Sequence, residues 1–134
     1  MGLPYVILDF PRLSDPDEFV FIRIMFWWGH FFSSTLQVGG NRKEGVCKHA
    51  ASKLDLLQSS DYYLCVNSDP WAHHFEATNY SKLSEMDKEI FLENASRSDY
   101  IKIAAKWPLS EWHFAADELF ESWKFLLQIS GLIT

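Results

Sequence analysis

The chain has 134 residues and a formal net charge of -6, enough for one domain and too few for two. Hydrophobic residues make up 48% and charged residues 22%, which excludes an intrinsically disordered chain. An acidic chain is a poor match for phosphate backbones, which need clustered Lys and Arg, and a better one for a basic protein.

Aromatic residues reach 16%, with 11 Phe, 6 Trp and 5 Tyr, so a core rich in rings is expected and an exposed adhesive patch is possible. Pro4 to Phe10 reads as a short strand stopped by Pro11. Ser14-Asp15-Pro16-Asp17-Glu18 has the form of a helix start: a capping side chain, an early proline, then carboxylates at the positive end of the dipole. That start, and the pair Gly39-Gly40 as a stop, favour a buried helix to about Leu36. Val20, Ile22 and Ile24 alternate as in a strand, so the reading of Phe19–Phe32 stays open between the two. The same run is too short to cross a bilayer.

Val46, Ala50, Leu54 and Leu57 recur at helical spacing and predict an apolar helix face. Asp61 to Val66 is a candidate strand, closed by the turn signal Asn67-Ser68-Asp69-Pro70. His73 to Tyr80 alternates weakly and is expected beside it, antiparallel. Ser84 to about Ala95 predicts a serine-capped helix, and Tyr100 to Ala105 a strand ended by Pro108. Ser110 is expected to cap a long final helix that turns Trp112, Ala116, Leu119, Trp123 and Leu126 inward and stops at Gly131. The expected architecture is α+β: a single domain over residues 1–134, with a small antiparallel sheet packed by helices and a long C-terminal helix.

Chemistry-bearing patterns are sparse. On a strand, His74 and Glu76 would share a face and could grip a metal with His113 or His30, but the pattern is short and reads more simply as a surface histidine pair. Two Cys and five His offer no four-ligand spacing, so no metal and no cofactor is expected. The H-x-E opening of the zinc deaminases lacks its downstream P-C-x-x-C here. Cys47 reads as a small packing residue, and Cys47 and Cys65 as free thiols. Gly39-Gly40 is followed by Asn41-Arg42, which is no phosphate loop. Arg42, Lys43, Lys48 and Lys53 suit a solvated helix face, so no nucleic acid is expected as partner.

Acidic patterning says more. Glu85, Glu89 and Glu93 fall at i, i+4 and i+8, one stripe on a helix, and Asp117, Glu118 and Glu121 lie on the final helix. These six are the candidate partner-binding residues; the simpler reading is that they keep an aromatic-rich chain soluble.

Lys106-Trp107-Pro108-Leu109-Ser110-Glu111-Trp112-His113 leads into Leu119, Phe120, Trp123 and Phe125. This stretch, about a quarter of the chain, resembles the C-terminal part of some bacterial immunity proteins of contact-dependent growth inhibition systems. The resemblance implies tight one-to-one binding that neutralises a cognate toxin domain, often a nuclease. It carries over no functional residue. The leading expectation is therefore a non-enzymatic immunity protein with a basic toxin domain as partner. A small enzyme or ligand-binding domain with an aromatic pocket, using His74, Glu76 and His113, is the alternative. An oligomeric adaptor is the third. Met1-Gly2-Leu3-Pro4 has no basic leader pattern, so a cytoplasmic location with no membrane partner is expected. A deep apolar cleft with converging His and acid groups would favour the enzyme, and a flat or convex acidic face without perturbed groups the inhibitor.

Overall fold

Alternation decides the N-terminal third. Val20 and Ile22 are buried toward the helices while Phe21 and Met25 are buried on the opposite side, so the segment is a strand and the expected helix is corrected. Burial on both faces makes such a strand nearly continuous in apolar residues, which is why it imitates a buried helix. The computed structural model describes residues 5–15, 18–27, 29, 31–65 and 80–131.

Strand β1, Tyr5–Asp15, pairs antiparallel with β2, Glu18–Trp27. Asp15 pairs with Glu18, which closes a hairpin where a helix start was expected. β1 also runs through Pro11 instead of stopping there, and its register shifts between Asp9 and Arg12. A proline at a bulge of an edge strand removes no ladder bond, which is why the strand tolerates it. β3, Phe31–Gly39, is antiparallel to β2 over its whole length. Gly39 ends that strand rather than a helix: a Cβ there would lie 2.4 Å from the ring of its cross-strand partner Phe19.

Helices α1, Lys43–Ser52, and α2, Leu54–Gln58, bury Val46, Ala50, Leu54 and Leu57, as the spacing predicts. β4, Tyr62–Cys65, follows, with β5, Tyr80–Lys82, antiparallel to it. Helix α3, Lys88–Ser96, starts later than expected. Its cap is Asp87, whose carboxylate accepts from the Ile90 amide at 2.8 Å, while Ser84 sits in a preceding 3-10 turn. β6, Tyr100–Pro108, joins β3 to β4, giving the order β1-β2-β3-β6-β4-β5.

The chain then makes a 3-10 turn, Leu109–Phe114, before α4, Ala115–Ser130. Ser110 therefore lies in the turn and does not cap α4; Trp112 lies there too, 58% exposed instead of inward. Ala116 is also exposed, Leu119 and Trp123 are half-buried, and Leu126 is fully buried. Gly131 ends α4 in the left-handed region at φ 75, as expected, with its amide bonded to the Gln128 carbonyl. Helices cover one face of the antiparallel sheet, burying Leu36, Val38, Ile101 and Ile103 beneath Leu57, Phe91, Leu126 and Ile129. The fold is a single α+β domain with a long C-terminal helix. Among the described residues no helix is long and apolar enough to cross a membrane.

Candidate functional site

Helix α4 presents different chemistry on its two flanks. Leu126 and Ile129 anchor it to the core. With about 100° between successive residues, that anchor sends Glu118, Glu121 and Phe125 to one side and Phe120 and Trp123 to the other.

The first flank borders an open cleft of about 600 Å³. Tyr62, Trp107 and Phe125 supply its aromatic walls, and Asp61, Glu111, Glu118 and Glu121 bring four carboxylates against the single cation Lys106. The Tyr62 and Phe125 rings meet at 5.1 Å, and the Tyr62 hydroxyl lies 2.6 Å from the buried Ser122 hydroxyl. Burial pushes the Tyr62 phenol up to about 12, opposed by its bond to Ser122. The Glu118 carboxyl is raised above the usual range, first by loss of water, then by the Glu111 charge and a hydrogen bond with Glu111. Its Oε2 is buried without a partner, although the side chain as a whole is only half-buried. Glu121 is exposed and pairs with Lys124 at 2.9 Å.

The second flank is apolar. Phe10 and Phe120 each stack on Trp123, at 6.0 and 6.1 Å between centroids. The Trp123 indole N–H donates to the Phe10 carbonyl at 2.8 Å, tying edge strand β1 to the helix. The outer rings remain open: Phe10 is 62% and Phe120 54% exposed, and Leu8 and Val6 extend the strip along β1. Scattered exposed apolar residues are ordinary, whereas large contiguous apolar patches are surfaces that partners commonly cover.

The structure separates the two acidic groups. Asp117, Glu118 and Glu121 all lie on α4, with Glu118 and Glu121 in the cleft. Glu89 and Glu93 lie on α3, but Glu85 is in the 3-10 turn before it, so the expected three-residue helical stripe is corrected to two. None of these three lines the cleft, and Glu93 is paired with Arg97 at 2.9 Å. His74, Glu76 and His30 lie outside the described residues. His113 is exposed with its ring 4.1 Å from that of Trp112, and it does not line the cleft. Among the described residues no three His, Cys, Asp or Glu side chains are grouped to hold a metal. Cys47 is buried and its thiol is raised chiefly by that burial, which fits a packing residue.

Asp61 and the strip residue Phe10 escape sequence reasoning because they come from elements far from α4 in the chain. Phe120 carries a local signal: Leu119, Phe120, Trp123, Phe125, Leu126 and Leu127 are too many apolar positions for one buried helix face. Comparison with protein-family models, with curated proteins and with solved structures returned no match.

Proposed function

We propose that this chain is a non-enzymatic binding protein whose α4 surface docks a basic protein, and that the partner is a toxin domain it neutralises in the cytoplasm as an immunity protein. The carrying observation is that an exposed aromatic strip and an acid-lined cleft flank the same helix. Interfaces draw their affinity from a few central aromatic anchors, and surrounding charges set approach and specificity. Phe10 and Phe120 have the exposure an anchor needs, and Asp117 and Glu121 carry negative charge on the same helix as Phe120. The net charge of -6 adds long-range attraction for a cationic domain.

The cleft supports an enzyme less well. Its perturbed group, Glu118, has no described His or Cys beside it in the lining to serve as base or nucleophile. The strip on edge strand β1 also suits the adaptor reading, in which copies pair through Val6, Leu8 and Phe10. Two chains of charge -6 repel one another, which favours the cationic partner over a second copy.

The test is titration of the purified chain against a candidate basic toxin domain, read by calorimetry and by the toxicity of that domain in cells. Expected is one-to-one binding that Phe120→Ser weakens at least tenfold while the chain stays folded, with loss of protection. Native affinity for Phe120→Ser, and for a chain with Asp117, Glu118 and Glu121 all changed to Lys, rules α4 out as the contact. A concentration-dependent dimer in sedimentation, with no binding, favours the adaptor.

A further inference from the structure

The cleft beside α4 originates in the sheet. The ladder between β4 and β6 runs only from Leu64↔Ile103 to Tyr62↔Ala105, so β6 continues through Lys106, Trp107 and Pro108 past the start of β4. Side chains alternate along a strand, so Trp107 shares the helix-facing side with Ala105 and packs on the core there. Lys106 takes the opposite side, with its ammonium 5.9 Å from the centres of the Phe31 and Tyr63 rings. The one cation of the described lining is thus directed away from the carboxylates. Glu121 has Lys124 as its partner. Among the described residues no Lys, Arg or His stands within ion-pair distance of Asp61, Glu111 or Glu118. Glu118 Oε2 is buried and lacks a hydrogen-bond donor, and the upward shift of that carboxyl, from lost water and from Glu111, reflects the same shortage of positive charge.

We propose that this cleft seats one arginine side chain of the basic partner, its guanidinium lying among the rings of Tyr62, Trp107 and Phe125 and bonded to Glu111 and Glu118; the inference rests on the docking reading above. Charge selects a cation, and the form of the site selects which one. The carboxylates surround one cleft but are not grouped to hold a metal ion. A guanidinium is planar and weakly hydrated, lies well against aromatic faces, and carries five donors that fork across two carboxylates. An ammonium is compact and strongly hydrated, and gains less from aromatic walls. The opening, about 600 Å³, admits a long side chain. A helix with its side chains is about 10–12 Å across, so a protein seated on Phe120 at one flank of α4 reaches the cleft at the other within an ordinary interface.

The test follows the amide and indole NMR signals of the chain during titration with the capped tripeptide acetyl-Gly-Arg-Gly-amide and with its lysine and citrulline counterparts. Citrulline keeps the size and planarity of arginine and loses the charge. Expected is a saturable shift of the Trp107 indole and of the Glu118 and Ser122 amides with the arginine peptide, a weaker response to lysine and none to citrulline. Glu118→Gln should weaken the arginine peptide about tenfold, the loss of a charge-assisted hydrogen bond, and Glu111→Gln provides a second variant. Asp55→Asn removes an exposed carboxylate from α2, outside the cleft, and should leave the response unchanged. An equal response to citrulline overturns the proposal, because charge then plays no part. Equal weakening by Asp55→Asn and Glu118→Gln overturns it too, because only the overall field then counts. So does a basic toxin domain that binds the native chain and Glu118→Gln with one affinity in calorimetry, in which case docking through Phe10 and Phe120 survives without the cleft. No docking at all, with the peptide response intact, is the failure of the docking reading instead: it overturns the partner as the source of the arginine and leaves the chemistry of the cleft standing.

Discussion

Ser34 lies fully buried on the helix-facing side of β3, between Ile24 and Ala105, and its hydroxyl has no partner. A hydroxyl in that position gains nothing to offset its lost hydration. Ser34→Ala is therefore expected to stabilise the protein by about 1 kcal/mol, seen as a higher urea midpoint at unchanged slope. Tyr62 makes the opposite case, because its buried hydroxyl is matched by Ser122. Its phenol, raised to about 12, is favoured in the neutral form by folding. It has no pH effect on stability below its ordinary value near 10, and stability is lost as pH climbs from there toward 12. The loss should reach about 2–3 kcal/mol at the top of that range. The double substitution Tyr62→Phe, Ser122→Ala removes both partners together, and its alkaline unfolding curve should be flatter than the native one by that amount.

At the scale of elements, the proposed reading divides α4 between a buried anchoring face and an exposed recognition face. Leu126→Ala removes a fully buried anchor and should cost about 2–5 kcal/mol, measured by chemical denaturation. Phe120→Ser changes a ring that is 54% exposed and should cost far less, while it impairs partner binding. An equal loss of stability in the two variants would show that Phe120 belongs to the core. Elements with local signals were legible in the sequence: the α1–α2 face through Val46, Ala50, Leu54 and Leu57, and the end of α4 at Gly131. Those set by tertiary pairing were not. Phe19 to Trp27 reads ambiguously because the sheet buries both of its faces. The spacing places Trp112 and Ser110 with α4 because a 3-10 turn leading into a helix has nearly the same local spacing as the helix itself. The acidic half of the site was visible as Asp117, Glu118 and Glu121. Asp61 and Phe10 reach the site through tertiary contacts with elements distant in the chain, which no local spacing records.

The whole molecule combines a net charge of -6 with an apolar strip. On the proposed reading a cationic partner uses both: the field brings it in, and the rings hold it. Rim charges act chiefly on the association rate, and salt screens them over a Debye length of about 8–10 Å. Aromatic anchors act chiefly on dissociation. The most direct test is stopped-flow association with a basic toxin domain, the proposed partner, at low and high salt, for the native chain and for the chain with Asp117, Glu118 and Glu121 changed to Lys. The account predicts native association that slows markedly with salt, a triple variant that is slow at low salt, and salt dependence largely lost in that variant. Equal association rates for the two chains at low salt would contradict it, leaving the acidic residues of α4 to serve solubility alone.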